Sequence, residues 1–222
     1  AALGWQGPLV ISARGADVVQ QAGTMRIPPL ARKILVRALA WRSVHIHAVA
    51  DELTEAMVQM GVGRSQIQCF PIGIDLGRFP ARERLGELHD PPRIVCTRKH
   101  RPVYENHVLV EALKLLAARG QAFECTFVGG GEDLPKTREL VEDAGLSDRV
   151  TLTGHVAHEE MTQHIAHADL YVSCSSADGT SSSLLEALAG GLFPIVSRIT
   201  ANLPWVKHGD NGLLFDVGDS VG

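Results

Sequence analysis

The stretch that decides the fold spans residues 168–197, ADLYVSCSSADGTSSSLLEALAGGLFPIVS. Residues 170–172 are a short apolar run of the kind that forms a buried strand, and it stops at a Ser/Asp/Gly turn. Thr180, Ser181, Ser182 and Ser183 then open a helix that carries Leu184, Leu185 and Leu188 and ends at Gly190 and Gly191. Residues 193–196 follow as a second buried strand. A strand, a tight polar turn and a helix start leave backbone N–H groups at the positive end of a helix dipole. That is a site for an anionic group such as a phosphate. Glu186 lies three and four residues after Ser183 and Ser182, on their face of the helix and away from Leu184 and Leu188. A carboxylate there suits hydroxyls, such as those of a ribose, better than it suits phosphate. The same residues also fit a plain capped helix with Glu186 on its solvated face, because Ser, Thr and Asp are preferred caps.

Outward from this stretch, apolar runs alternate with helical patterns. Strands are expected at 9–12, 44–49 and 67–71, with helices at 29–43 and 51–60. Residues 72–92 are rich in Gly, Pro and charge and mark a domain boundary. The alternation then restarts, with strands at 93–97, 123–128, 150–153, 170–173 and 193–197. Helices are expected between them at 105–119, 133–144, 158–167 and 181–190. This spacing means parallel βαβ units and an α/β fold. Ligands of such sheets bind at the carboxyl ends of strands, where residues 175–183 fall.

Composition narrows the function. The 222 residues are 45% hydrophobic and 21% charged, ample for a core. A net charge of −4 argues against nucleic acid as partner. Cys69, Cys96, Cys125 and Cys174 sit in or at the ends of apolar runs and read as buried thiols of a reducing compartment, not as a disulfide frame or metal site. His155/His158 and His164/His167 lack the Cys or carboxylate partners of a metal site. The 29–43 helix carries Arg32, Lys33, Arg37 and Arg42 among apolar residues. It reads as a core-packing helix with a basic outer face, with contact to an anionic membrane surface as the alternative. The chain starts in mid-pattern without Met and stops soon after Leu213–Phe215, so both ends read as cut from a longer protein.

The 168–197 block resembles the donor-sugar signature of retaining glycosyltransferases of family 4, the GT-B enzymes that use nucleotide-sugars. That pattern has two acidic residues eight apart, followed by EAMA-G-PVV. Asp178 and Glu186 hold the acidic positions, with Asp where Glu is commoner, and EALAGGLFPIV runs on from Glu186. FPIGID at 70–75, with Phe79 after it, is similar to the family's interdomain PNGVD…F segment. TFVGGG at 126–131 matches its VG-G turn, VTLTGHV at 150–156 its V-F-G-V strand, and NGLLF at 211–215 its NG-LV strand. The resemblance implies a GT-B type fold of two Rossmann-like parallel-sheet domains, the N-terminal one incomplete. On it, residues 1–77 are the C-terminal part of an acceptor-binding domain, 78–91 an interdomain linker, and 92–222 a donor-binding domain lacking its last helices.

The resemblance also implies roles. Glu186 holds the donor's ribose hydroxyls and Asp178 those of the transferred sugar. Arg98, which matches the Arg of an R-L-…-KG pattern, meets the diphosphate. The backbone of Gly179, Thr180, Ser181 and Ser182 contacts sugar and diphosphate, that of Val156 the nucleobase, and Gly130 lets the chain pass close by. The Lys of the pattern falls on Tyr104 or Glu105, in a PVYEN segment at 102–106 like a variant seen in some members, so Lys99 or Arg101 would supply the second charge. RGAD at 14–17 matches an H-G-x-D turn. This places Arg14 and Gly15 on the acceptor side, with Arg14 steadying an anionic or polar acceptor; structural capping by Asp17 is equally open. The implied activity is transfer of a sugar from a UDP-, GDP- or ADP-sugar to a glycan, lipid or small-molecule acceptor with retention of configuration. It needs neither metal nor cofactor, and the enzyme is cytoplasmic or peripheral at the cytoplasmic membrane face. The alternatives are a nucleotide-sugar epimerase of the same fold and a non-catalytic nucleotide-sugar-binding module.

Overall fold

The computed structural model describes residues 9–14, 28, 30, 34, 44–59, 61–79 and 88–221. Strands and helices alternate, and every named strand pairing is parallel. The chain forms two compact units, Ala1–Gly73 and Ile74–Gly222.

In the first unit, strands β1 (Leu9–Ala13), β2 (Val44–Ala48) and β3 (Ile67–Cys69) form a sheet in that order. Helix α1 (Asp51–Gln59) starts with Asp51 and Glu52, which suit the positive end of its dipole, and buries Leu53, Thr54 and Met57. Leu53 and Met57 join Ile46, Ala48 and Val49 in one core. Cys69, expected among the buried thiols, is exposed, because β3 buries only Ile67. The helix expected at 29–43, apart from Leu30 and Ile34, lies outside the described residues, as do Gly15, Ala16 and Asp17.

In the second unit, β4 (Arg93–Cys96), β5 (Glu124–Val128), β6 (Val150–Gly154), β7 (Leu170–Ser173), β8 (Phe193–Ser197) and β9 (Leu213–Phe215) form one sheet. Its order is β6-β5-β4-β7-β8-β9. Helices α2 (Asn106–Ala118), α3 (Leu134–Asp143), α4 (His158–Ala166) and α5 (Ser182–Ala189) connect the strands. Strand residues alternate between two cores, which is why the inner strands read as continuous apolar runs. Ile94, Cys96, Cys125, Phe127 and Val172 pack with Leu113 of α2 and Val141 of α3. Val95, Val128, Tyr171 and Val196 pack with Ile165 of α4 and with Leu184 and Ala187 of α5. Helices therefore cover both faces. Burial pushes the Cys96 thiol up to about 11, so it is an inert core group.

Phe79 is buried in the second of these cores. At the amino end of β4, the buried Asp169 carboxylate accepts from the backbone N–H of His89 and of Arg93, at 3.2 and 2.8 Å, and meets His89 Nδ1 at 2.8 Å. The residues just before β4 are thus fastened to the sheet. Residues 80–87, within the linker expected at 78–91, lie outside the described residues.

Candidate functional site

The strand order reverses between β4 and β7. At such a switch point the connections leave in opposite directions and open a crevice at the carboxyl ends of the strands. The segments after β4 and β7 meet there.

Arg98 lies just past the end of β4, and its side chain is only 6% exposed. Its Nη2 donates to Asp178 Oδ2 at 2.6 Å, and its Nη1 donates to Ser181 Oγ at 3.0 Å and Ser183 Oγ at 3.5 Å. The Tyr104 ring covers the guanidinium, 4.1 Å from Cζ to ring centroid. Nε is buried and unpartnered among the described residues. Burial works against the cation, but Tyr171, Asp178 and Tyr104 hold its pKa above the ordinary arginine value. The structure thus brings Arg98 and Asp178, assigned to different parts of a donor by the sequence, into one ion pair.

Helix α5 begins at this point because Ser181 caps it, its Oγ accepting from the Leu184 N–H at 3.2 Å. The Ser181 hydroxyl is therefore engaged twice and buried. The Gly179 N–H is taken by Asp178 Oδ1 at 2.9 Å. The helix closes with Gly191 at φ +74, a left-handed turn that glycine makes freely. Glu186, one turn into α5, is half-buried, and its carboxylate accepts no hydrogen bond among the described residues. Burial raises its pKa from the ordinary glutamate value, with His158 at the start of α4 partly offsetting the rise.

The Gly-rich turn after β5 serves the same crevice indirectly. Gly131 has φ +154, and a Cβ there would collide with the His100 carbonyl; a Cβ on Gly129 would stand 3.2 Å from Arg98 O. His100 N donates to Gly130 O at 3.0 Å. Glycine here lets the turn pack against the segment that carries Arg98. Val156 is partly buried against the core shared by α4 and α5. Lys99 and Arg101 are exposed, and their side chains take no part in the Arg98 cluster. Arg14 is exposed just past β1.

Sequence reasoning did not assign Ser183, Ser176 or Tyr104 to the cluster. Val103 O accepts from Ser176 N at 2.9 Å and from Ser176 Oγ at 3.1 Å, which ties the two loops together. The sequence signal for Tyr104 was the absence of a lysine at 104 or 105, where the resembled pattern has one. In the first unit, His47 pairs in register with Ser12, with Nδ1 3.1 Å from Ser12 Oγ and Nε2 2.8 Å from the Phe70 carbonyl. The carbonyl can only accept, so Nε2 carries a proton toward Phe70 O.

A doubly wound parallel sheet with a polar crevice at its switch point defines a Rossmann-like α/β protein. The family model described as "Glycosyl transferases group 1" matches residues 78–221, and the chain belongs to that family. Among curated proteins it is similar to the GDP-mannose-dependent alpha-(1-6)-phosphatidylinositol monomannoside mannosyltransferase of Mycobacterium tuberculosis, 34% identical over 175 residues, 71% of this chain and 44% of that protein. It is also similar to the amylovoran biosynthesis glycosyltransferase AmsK of Erwinia amylovora, 30% identical over 171 residues, 74% of this chain and 42% of that one. The chain thus spans less than half the length of these relatives. Among solved structures, Anabaena HepE in complex with UDP and glucose superposes with a TM-score of 0.77 at 19% identity, covering 96% of this chain and 59% of that one. S. aureus TarM superposes with a TM-score of 0.73 at 15% identity, covering 95% and 41%. The fold is α/β of the GT-B type. No helix among the described residues is long and apolar enough to cross a membrane.

Proposed function

We propose that the chain belongs to a retaining hexosyltransferase that moves a sugar from a nucleotide diphosphate to a glycan, lipid or small-molecule acceptor. Residues 92–222 would bind the donor and residues 1–77 would be part of the acceptor side. The observation that carries this reading is the buried Arg98–Asp178 pair at the amino end of α5, with the half-buried Glu186 carboxylate one turn further on. A cation and a helix N-terminus together supply positive charge where a leaving diphosphate gains negative charge. They can do so without a metal ion.

On this reading Glu186 accepts from the ribose hydroxyls and Asp178 from those of the sugar. The C1–O bond to the diphosphate breaks as the acceptor oxygen bonds C1 on the same face, and the acceptor's proton passes to the departing diphosphate oxygen. The 179–182 backbone lines the sugar and diphosphate, Val156 the base, and Lys99 lies close enough in sequence to add charge from the rim. Arg14 and Gly15 would face the acceptor. A lipid-linked acceptor would hold the enzyme peripherally at the cytoplasmic membrane face. The HepE complex with UDP-glucose and the GDP-mannose dependence of the mycobacterial relative support a nucleotide-sugar donor. The lack of a lysine at Tyr104 or Glu105, one of which falls where the resembled pattern has it, favours a second reading, a module that binds the donor without turnover.

The test is turnover of radiolabelled UDP-glucose and GDP-mannose by the full-length protein, with the product anomer assigned by NMR. An α-linked product from these α-donors is expected. Inversion overturns the retaining reading, and binding without turnover selects the second reading. Glu186→Ala should weaken UDP or GDP binding by about 1.5–3 kcal/mol, the worth of one charge-assisted hydrogen-bonding group.

A further inference from the structure

We propose that Tyr104 is a positioning residue for Arg98, whose ring holds the guanidinium plane at the mouth of α5 and so sets the affinity of that mouth for a diphosphate. The part about diphosphate rests on the donor-binding reading above; the positioning itself does not.

Three observations converge. First, the ring lies over the guanidinium at 4.1 Å, well inside cation–π distance, while the arginine is 6% exposed. A desolvated contact of this kind is worth more than a surface one. Second, the ring is not free to drift. Tyr104 closes a single 3-10 turn at Pro102–Tyr104, with its N–H bonded to Arg101 O at 3.0 Å. The preceding carbonyl, Val103 O, is held twice by Ser176, on the segment that also carries Asp178. Third, the in-plane contacts of Arg98 go to Asp178, Ser181 and Ser183, and its Nε is left without a partner among the described residues. A guanidinium that must exchange Asp178 for an incoming anion loses its strongest in-plane tether during the exchange. The face contact with Tyr104 is the restraint that does not compete with an anion, since anions approach the N–H edge and the ring occupies the π face. Lys99 and Arg101 are exposed and outside the cluster, so Arg98 is the one buried cation at this mouth among the described residues, and its placement matters the more.

The test uses the full-length protein with Tyr104→Phe and Tyr104→Leu. Inorganic pyrophosphate and UDP are titrated by calorimetry, and the Arg98 Nε–H resonance is followed by ¹⁵N NMR against an Arg98→Lys control for assignment. Phe keeps the π face and should retain both the ring-current shift and the affinity. Leu keeps an apolar side chain but loses the face, so the shift should vanish and affinity should fall roughly ten-fold, as expected of a desolvated cation–π contact. A purely structural role predicts no Phe–Leu difference in affinity at equal thermal stability, and that result overturns the proposal. If wild-type protein binds neither probe, the donor reading falls. The Nε–H shift then still decides whether Tyr104 positions Arg98, and an unshifted resonance in the wild type refutes it.

Discussion

Removing either member of the Arg98–Asp178 pair should have unequal consequences, because the two differ in access to water. Arg98 is 6% exposed and Asp178 19%. Asp178→Asn leaves a buried guanidinium with neutral acceptors at Ser181 and Ser183 and one aromatic face. Stranding a buried charge costs about 3 kcal/mol, the low end for a broken buried pair, because those neutral contacts remain. Arg98→Met removes the cation and leaves a carboxylate that water reaches and that still accepts from Gly179 N. That should cost about 1–2 kcal/mol, part of it lost packing on Tyr104. With both changed, no charge is stranded, so the double variant should lose about as much as Arg98→Met alone, a coupling of about 3 kcal/mol, the whole cost of Asp178→Asn. The assay is urea unfolding followed by Trp205, which packs on the core shared by α4 and α5, in a Trp5→Phe/Trp41→Phe background so that only the second unit reports. Additive losses, within about 0.5 kcal/mol, would show that the pair carries no coupling, and a larger cost for Arg98→Met than for Asp178→Asn would show that the burial argument is inverted.

Glu186 has its folded pKa raised by burial, so the native state binds the proton more tightly than the unfolded one. Stability should therefore fall as pH rises from the unfolded pKa through the folded one, and Glu186→Gln should flatten that slope and gain a few tenths of a kcal/mol at pH 7, solvent screening included; urea midpoints at pH 4 and 7 read it, and an unchanged slope refutes it. Glu105 caps α2 in a left-handed conformation, φ 45 and ψ 41, with no side-chain capping bond. Glu105→Gly should then gain about 0.5–1 kcal/mol net of the added chain entropy, seen as a rise of a few degrees in Tm, whereas a fall in Tm would mean the side chain has a contact that matters. Gly131→Ala should cost upward of about 3 kcal/mol, because its Cβ meets backbone at His100, while Gly120→Ala, at φ +73 with open space around it, should cost about 1 kcal/mol; equal costs in thermal denaturation would deny the close packing of the two loops.

The fold was legible because its signals are local. Apolar runs of four to five residues separated by helical patterns are what a sheet covered on both faces requires, and among the described residues expected and observed elements differ by only a few residues at each end. Ser181 as the start of α5 and Gly190 and Gly191 as its end follow from capping chemistry within one short segment. Cys69 was misjudged for the opposite reason. Nothing local distinguishes a strand end that is covered from one that is open, and only the short β3 settles it.

The site was legible residue by residue but not as a set of contacts. Arg98 and Asp178 are 80 positions apart, and βαβ alternation alone does not make them neighbours. A parallel sheet in the flavodoxin-like order would place the first strand of the unit beside its third, bringing the end of β6 rather than that of β7 against Arg98. The observed order puts β7 directly beside β4, with Ile94 opposite Leu170 and Val95 opposite Tyr171. From that register, the two residues that follow β4 and the turn that follows β7 must converge, and the amino end of α5 comes with them. Tyr104 enters only because the same register lets Ser176 bind Val103 O. The ion pair and the ring over the guanidinium are thus two results of one strand order, which sets the locally capped end of α5 beside the cation before any ligand arrives.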